Sequence, residues 1–590
     1  MEEAKAKTVE TNGNLTCDRS SVTKSTSNSE TARGGCLRLV RSRVPIDFRE
    51  ELVQVSKLAG PVFISQLMIF LISFISTVFC GHLGKTELAG VSLAIAVINV
   101  TGISIGSGLA SACDTLISQT FGSNNLKRVG VILQRGILIL LLACFPCWAV
   151  LINTEPLLLA VKQSPEVARL SQLYVKIFMP ALPAAFMYQL EGRYLQNQGI
   201  IWPQVITGLV VNVLNALTNY IFLYVLDLGV AGSAAANSIS QYSLAAILFV
   251  YIHWRGLHKA TWGGWVRDCL QEWDTFIHLA IPSMLMLCLE WWTYEIGGFL
   301  AGLISEAELG AQSVIYQLGV IAYMCPLGFG VAASVRVGNA LGAGNTDKAK
   351  LSSKVSIVCA VLISVFFSIF IGCLKNQIGY IFTNDEEIVS RAREVILIYA
   401  PFHVLDATAG VTGGVVRGAG KQMIGALCNL VGYYFVGFPI GVSLMFAAKM
   451  GIIGLWTGLI ICVLLQSIFF ILLIVKLNWE KATREALIRA GVQPPPVATE
   501  GIELDCTLQK QASTQALVME GQVNPRKGSK DPEKLNMGES EDRTQESHTT
   551  VSSEPSFKQL VLRRTLALFV MLLTLAAGIV CNILVTDLLK

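Results

Sequence analysis

The sequence has 590 residues, of which 53% are hydrophobic and 15% charged, and its mean hydropathy is +0.56, far above that of a soluble domain. The net charge of +4 is too small an excess for a nucleic-acid-binding surface. Composition therefore argues against soluble enzymes and nucleic-acid partners and indicates an integral membrane protein.

The first segment, residues 1–50, is rich in Ser, Thr, Lys, Arg and Glu and has no leading apolar stretch. A secretory signal would begin with such a stretch. We expect this segment to be a disordered cytosolic tail.

Apolar windows of about twenty residues, the length needed to cross a bilayer as a helix, recur between 57 and 475. They predict an all-α integral membrane fold with twelve spans and one more at the C-terminus. The predicted parts are an N-lobe over 51–255 with spans 1 to 6, an inter-lobe loop over 256–273, a C-lobe over 274–478 with spans 7 to 12, a flexible cytosolic tether over 479–560, and a thirteenth transmembrane helix over 561–590. We interpret the last helix as an anchor.

Basic residues in the short loops predict the orientation. Thirteen Lys and Arg lie on one side, among them Arg193, Arg336 and Lys421, against seven on the other. Both ends of the twelve-span unit are therefore expected in the cytosol. The thirteenth helix then leaves the C-terminus outside.

The two lobes are predicted to be copies of one repeat. Leu58–Pro61 returns as Leu279–Pro282, and Ile177–Pro180 returns as Ile398–Pro401, at an offset of about 222 residues. Six spans per copy give both copies the same orientation, related by an axis along the membrane normal. Two such lobes around a central cavity are typical of a transporter.

Three acids fall well inside predicted spans, and all three lie in the second repeat: Glu290, Glu295 and Asp406. An ionisable group in a membrane is costly and by default a functional candidate. Burial disfavours a carboxylate, so such a group can hold a proton until a cation displaces it. We predict that these residues bind protons and cations.

Aromatic residues flank these acids in Glu290-Trp291-Trp292-Thr293-Tyr294-Glu295. Trp291 and Tyr294 are predicted to line a substrate cavity, since aromatic faces attract organic cations. The alternative is that the tryptophans belong to the belt at the membrane interface and that Glu295 reaches water there.

The first repeat offers polar but uncharged residues. Gln66 and Asn99 are cavity candidates, with interhelical hydrogen bonding as the equally weighted alternative. The stripe Asn212, Asn215 and Asn219 more often reflects such bonding. The six histidines are scattered, so neither a metal site nor a cofactor is expected.

Four motifs together resemble the multidrug and toxin extrusion (MATE) family, and most closely its vertebrate branch: Cys80-Gly81-His82-Leu83-Gly84-Lys85, Leu289-Glu290-Trp291-Trp292, Val335-Arg336-Val337-Gly338-Asn339-Ala340-Leu341-Gly342 and Gly413-Gly414-Val415-Val416-Arg417-Gly418. The resemblance covers about 50 to 480 and the segment from Lys558. It implies a proton-coupled exchanger that expels organic cations across the apical plasma membrane of excretory epithelia.

The resemblance also assigns individual residues. Glu290 and Glu295 match the two acids of the seventh helix, and Cys80 matches the thiol after the first. Asp406 stands where close relatives have Glu. Gln317, beside Tyr316 in the predicted cavity, also replaces a Glu and cannot release a proton.

The sequence thus predicts a secondary antiporter, not an enzyme, that exchanges organic cations for protons by alternating access. Its expected partners are small organic cations, protons and membrane lipids, with one chain as the transport unit. The rival hypotheses are a lipid or glycolipid flippase of similar fold, and a receptor or channel without coupled exchange.

Overall fold

The computed structural model describes residues 46–493 and 557–588. The predicted tail before residue 46 and the predicted tether between 494 and 556 lie outside these ranges. The described residues contain no strand, and thirteen of their helices are long and apolar enough to cross a membrane. The predicted all-α fold with twelve spans and one additional C-terminal span is confirmed.

The first repeat forms the N-lobe. Its six helices are α1 (Asp47–Gly81), α2 (Lys85–Gly122), α3 (Leu126–Leu151), α4 (Pro165–Asn197), α5 (Trp202–Val225) and α6 (Gly229–Trp254). A continuous core of buried side chains runs through them and includes the first turns of the next helix, from Trp273 to Ala280. That helix therefore begins on the core of the N-lobe.

The second repeat forms the C-lobe. Its helices are α7 (Trp273–Gly302), α8 (Glu306–Gly342), α9 (Thr346–Cys373), α10 (Glu386–Gly418), α11 (Gln422–Ala447) and α12 (Ile452–Lys476), followed by α13 (Phe557–Thr586). The C-lobe has its own core, which begins at Ala301 near the end of α7. Helix α7 thus packs on one lobe at its start and on the other at its end.

Several helices begin at side chains that cap their first turn. The hydroxyl of Ser305 accepts a hydrogen bond from the Glu308 amide, and the Asp385 carboxylate accepts from the amides of Glu387 and Ile388. Pro165 follows the capping residue Ser164 at the start of α4. Each cap satisfies amides that have no partner within the helix, which fixes where these helices start.

Helices α2 and α8 continue ten residues past the ends of their predicted apolar windows, at 112 and 332, to Gly122 and Gly342, and α10 continues four residues past 414 to Gly418. A hydropathy window stops at the first polar residues, but a helix continues while its polar side chains find partners. The extensions meet on one side of the protein, the side on which Glu51 of α1 lies. We call this side the closed face.

The beginning of the predicted flexible tether requires a correction. Residues Trp479–Arg489 form a helix, here the surface helix, whose first turn is capped by the Asn478 side chain. Its Ala482 and Ala486 are fully buried. The amphipathic spacing of apolar residues and the cap stabilise a helix that a composition-based prediction overlooked.

The two lobes pack closely at glycines, which have no side chain to hold the two backbones apart. A Cβ at Gly328 of α8 would lie 2.6 Å from the Ala59 carbonyl oxygen of α1. In the repeat-related pair, Gly108 of α2 contacts the Met284 backbone of α7. On the closed face Gly342 packs on the backbone of Gln119. The pairs α1 with α8 and α2 with α7 therefore form the seam between the lobes.

The lobes separate away from the closed face. Gln317, Gly328 and Val335 lie on one side of α8, because eleven and eighteen residues are close to three and five helical turns. Gly328 and Val335 contact α1, whereas Gln317 is exposed. The gap between the lobes therefore opens toward the face opposite the closed face.

Helix α13 packs along α3 of the N-lobe. The Asn153 amide donates to the Gly578 carbonyl at 2.9 Å, and the Asn582 amide donates to the Ile152 carbonyl at 3.1 Å. At its other end Arg564 donates to the Leu270 carbonyl at 2.9 Å. The helix predicted to be an anchor is thus docked on the transporter-like core at both of its ends.

Candidate cation-binding site

The acids within the membrane-crossing helices fall into two groups. The first group is ion-paired: Glu51 with Arg336 at 2.5 Å, Asp114 with Arg193 at 3.0 Å and Glu308 with Arg391 at 2.5 Å. None of Glu290, Glu295 and Asp406 forms an ion pair with any described residue. Ion pairs give the first group a structural role, whereas no described cation neutralises the acids of the second group.

The structure brings Glu290 and Asp406 together. Glu290 lies midway along α7 and Asp406 on α10, within electrostatic range of each other. Tyr323 of α8 and Tyr433 of α11 lie within range of both acids. Asp406 is buried, with 8% of its surface exposed. Two carboxylates within electrostatic range of each other favour a state in which a proton or a cation reduces their combined charge.

Arg417 is a basic residue near this acid pair. It lies at the end of α10 on the closed face, within electrostatic range of Glu290 and Tyr323. Sequence reasoning cited Arg417 only as part of a motif and did not identify Tyr323 or Tyr433. The two tyrosines lie on different helices from the acids, and helical spacing reveals neighbours only along one helix.

Glu295 occupies a separate position on α7. It accepts a hydrogen bond from the Tyr316 hydroxyl of α8 at 3.3 Å. Five residues separate it from Glu290, which is about 7.5 Å along a helix. The two acids of α7 therefore have different partners, Tyr316 for Glu295 and Asp406 for Glu290.

Aromatic rings form a wall beside these acids. The ring of Tyr294 lies 6.3 Å from that of Tyr316 and 6.4 Å from that of Trp456. Trp456 also packs edge-on against Tyr399 at 5.6 Å and Phe402 at 5.1 Å. The predicted cavity residues Tyr294 and Tyr316 thus lie together, and Trp456, Tyr399 and Phe402 belong to the buried core of the C-lobe behind them.

The two neighbouring tryptophans of α7 differ. The Trp292 indole donates to the Val100 carbonyl of α2 at 3.1 Å, inside a π-helical segment, Asn99–Ile103. The wider turn of a π segment alters the local backbone pairing, which suits this contact between the lobes. Trp291 is 38% exposed and its indole has no hydrogen-bond partner among the described residues. Its role in the cavity stays a prediction.

The cavity candidates of the N-lobe, Gln66 and Asn99, form no hydrogen bonds with the described residues around the acid pair. Gln66 lines a cavity of about 20 Å³ with Ser65, Tyr188 and Gln196. Asn99 begins the π segment of α2 and is partly exposed. Neither side chain hydrogen-bonds to a described residue of the C-lobe. Their assignment to the substrate cavity therefore remains a prediction.

Cys80 and the asparagine stripe are buried within the N-lobe. Cys80 is fully buried beside Ser233 of α6. The Asn212 amide donates to the Met68 carbonyl at 2.8 Å, and the Asn215 amide donates to the Ser240 hydroxyl at 2.9 Å. The stripe therefore ties α5 to α1 and α6 by interhelical hydrogen bonds.

The sequence did not point to two titratable residues that have buried polar atoms without a hydrogen-bond partner among the described residues. His403 is fully buried on the same side of α10 as Asp406, and neither ring nitrogen hydrogen-bonds to a described residue. Glu191 of α4 has a buried carboxylate oxygen that likewise has no partner among them. Histidine spacing gave no signal for the first, and Glu191 lay just beyond the predicted fourth span.

The family profile described as MatE matches the chain twice, over residues 61–221 and 282–443. The chain belongs to the MATE family. The two matches begin 221 residues apart, close to the offset of the sequence repeat. This MATE protein is accordingly a multi-pass efflux transporter and not an enzyme.

Vertebrate relatives match nearly the whole MATE chain. It is 68% identical over 574 residues to multidrug and toxin extrusion protein 1 of Danio rerio, covering 97% of each chain. It is 57% identical over 466 residues to multidrug and toxin extrusion protein 1 of Homo sapiens, covering 79% of this chain and 81% of the relative.

Solved structures show the same fold. The crystal structure of the eukaryotic MATE transporter AtDTX14 superposes with a TM-score of 0.73 at 29% identity, covering 75% of this chain and all of that one. The Vibrio cholerae MATE transporter VcmN in its bent form has a TM-score of 0.64 at 18% identity and covers 75% of this chain and 100% of that one. The predicted architecture of two repeated lobes is therefore confirmed.

Proposed function

We propose that this MATE transporter exports organic cations in exchange for protons, and that Glu290 and Asp406 alternately hold the proton and the cation. The observation that carries the proposal is the acid pair itself. Two carboxylates lie within electrostatic range of each other, without ion pairs to described residues, and tyrosines surround them. A cation that enters displaces a proton, which couples the two fluxes.

The aromatic wall supports organic cations as the substrate class. A cation over an aromatic face gains about 0.5 to 2 kcal/mol, more when water is excluded. Tyr294 lies next to the acid pair and also belongs to the wall. A flat or bulky amine can therefore contact a carboxylate and the partly exposed rings of Tyr294 and Tyr316 at once, whereas an inorganic cation gains less from the rings.

We assign Glu295 an assisting role as a second acidic position, oriented by the hydrogen bond from Tyr316. Gln317 has no dissociable proton, so this chain must couple without an acid there. Asp406 retains the charge on a side chain that is one methylene shorter than Glu. We infer that the substrate range or the coupling differs from that of relatives that have Glu at both positions.

The seam between the lobes supports alternating access. Substrate reaches the acid pair through the gap in which Gln317 is exposed, while contacts such as Gly342 with Gln119 close the other side. The basic residues Arg128, Arg336 and Lys421 lie on the closed face. We infer that this face is cytosolic, that α13 leaves the C-terminus outside and that the protein works as a monomer in an apical plasma membrane.

A flippase of similar fold is the second candidate, but its phosphate headgroups need a basic cavity. The acid pair and the aromatic wall favour cations. A channel or receptor is distinguished by flux, since it shows no accumulation driven by an opposing gradient.

The test is uptake of labelled tetraethylammonium into proteoliposomes with an acidic interior. Wild type is compared with Glu290→Gln, Asp406→Asn and the control Glu387→Gln, which removes an exposed carboxylate at the start of α10. We expect accumulation in wild type and control and none in Glu290→Gln. Undiminished accumulation in both Glu290→Gln and Asp406→Asn contradicts the assignment of the acid pair, and no accumulation by wild type in a proton gradient contradicts proton-coupled export.

A further inference from the structure

A second cavity lies on the closed face, away from the acid pair. It has a volume of about 360 Å³ and is enclosed by the first turns of α3 and the loop that joins the lobes. We call it the loop cavity. Its walls carry three basic side chains and two acidic ones: Lys127, Arg128 and Arg135 with Asp268 and Glu272. The transport mechanism proposed above uses none of these residues.

The loop is folded onto α3, so the loop cavity is preformed. The Gln134 amide donates to the Gly264 carbonyl at 2.7 Å and its oxygen accepts from the Val266 amide at 3.2 Å. Gly130 packs directly on the Thr261 carbonyl, where a Cβ would overlap. A ligand that enters therefore does not have to order the loop, which lowers the entropic cost of binding.

The guanidinium groups have donors to spare. One carboxylate oxygen of Glu272 accepts from Arg128 and from Arg135, each at 2.8 Å. Arg135 donates further to the Asp268 carbonyl at 3.1 Å. Arg128 hydrogen-bonds to described residues through one terminal nitrogen only, and its side chain is 28% exposed, so its other terminal nitrogen is free to donate to a ligand.

Two more features add positive potential. Lys127 is exposed and forms no ion pair with a described residue. Helix α3 begins at Leu126, and the side chain of the residue before it, Asn125, accepts no hydrogen bond from the first turn. The free amides at the start of this 26-residue helix carry the positive end of its dipole.

We propose that the loop cavity binds a phosphate-bearing anion. The free terminal nitrogen of Arg128, the ammonium of Lys127 and the start of a helix are the kinds of group that bind phosphate oxygens in proteins. Glu272 and Asp268 leave one net positive charge among the lining residues. Arg564 lies nearby at the start of α13 and donates to Leu270 of the same loop, which favours a membrane lipid headgroup as the source of the phosphate.

The experiment measures ligand binding to the purified full-length protein by isothermal titration calorimetry. The probes are short-chain phosphatidylinositol 4-phosphate, inorganic phosphate and short-chain phosphatidylcholine, a zwitterionic lipid whose choline balances the charge of its phosphodiester. Lys127→Gln removes one cation, and Val131→Phe narrows the cavity without changing charge. Lys350→Gln is the control, because Lys350 lies at the start of α9, outside the loop cavity, and pairs with Asp347.

We expect phosphatidylinositol 4-phosphate to bind and each cavity variant to weaken binding by about tenfold, with less than twofold change in Lys350→Gln. Equal binding of inorganic phosphate, with the same response to the variants, supports the site with a soluble source. Absence of binding by both phosphate probes, or binding unchanged in both cavity variants, overturns the proposal. The readout involves no transport, so it is independent of the proposed antiport.

Discussion

Arg336 of α8 binds Glu51 of α1 through two guanidinium nitrogens and so joins the two lobes at the closed face. The distances are 2.8 Å from Nε to Oε1 and 2.5 Å from the terminal nitrogen to Oε2. The Ser352 hydroxyl of α9 also donates to Glu51 at 2.6 Å. Because Glu51 is only 4% exposed, opening this face must expose and separate a pair that is otherwise buried.

Glu51→Gln is therefore expected to shift the protein toward conformations that are open on the closed face. Weakening a buried hydrogen bond to a charged partner costs about 1 to 3 kcal/mol, which changes a population ratio by about five- to 150-fold. Spin labels at the exposed Asn124 and Asp347, one in each lobe, report the change as a longer distance population. Glu50→Gln, which alters an exposed neighbour, is the control, and identical distance distributions in both variants contradict the assignment.

Gly342→Ala tests the backbone seam between α2 and α8. An added Cβ would overlap the Gln119 carbonyl, which cannot move without displacing α2. We expect the melting temperature to fall by several degrees and the same pair of spin labels to move apart. Gly372→Ala is the matched control, since no atom lies within 4 Å of the added Cβ. An unchanged melting temperature in Gly342→Ala refutes a tight seam.

The ion pairs of Glu272 predict a dependence of stability on pH. Burial alone raises the pKa of Glu272, but Arg135 and Arg128 outweigh it and hold the pKa below its ordinary value of 4.5. The stabilisation is therefore complete above pH 4.5 and disappears as the pH falls through the lowered pKa. Glu272→Gln should lower the melting temperature by about 2–5 °C at pH 7 and by progressively less below pH 4.5.

The control for this series is Glu480→Gln, which removes an exposed carboxylate from the surface helix. Its melting temperature should follow wild type at every pH. A difference between Glu272→Gln and wild type that grows on acidification has the wrong sign and rejects the ion-pair explanation.

Tyr294 tests the aromatic wall. In the proposed mechanism a cation contacts the ring of this residue, so Tyr294→Phe should retain the Michaelis constant for tetraethylammonium, while Tyr294→Leu should raise it by about two- to thirtyfold. Initial rates in proteoliposomes measure both. Equal Michaelis constants for the Phe and Leu variants argue against a cation–π contact at this residue.

Deletion of the residues from about 491 onward tests the role of α13. Its contacts lie on α3 and the inter-lobe loop, not on the acid pair or the aromatic wall. We expect uptake per molecule at the cell surface to persist, with less protein delivered there. Surface biotinylation separates the two quantities. Loss of uptake by correctly delivered protein would assign α13 to the transport machinery.

Sequence patterns located the three acids but did not show which residues lie near them. Glu290, Glu295 and Asp406 stood out because a charge in an apolar window is rare. The same windows excluded Glu51 and Asp114, which lie where polar residues extend the helices. His403 sat among scattered histidines, and Tyr323 and Tyr433 gave no periodic signal. These residues become neighbours of the acid pair or parts of the seam only when helices distant in sequence pack together.

By itself the sequence determined the membrane class, the twelve spans plus one, the repeat and the family, since each depends on apolar length, periodicity or a local motif that survives in one dimension. Only the tertiary structure decided that Glu290 and Asp406 lie within electrostatic range of each other and that Glu51 forms an ion pair with Arg336. It also revealed that residues 479–489 form a packed helix and that α3 and the loop enclose a cavity. These depend on distances between segments up to hundreds of residues apart, which packing sets and no local pattern encodes.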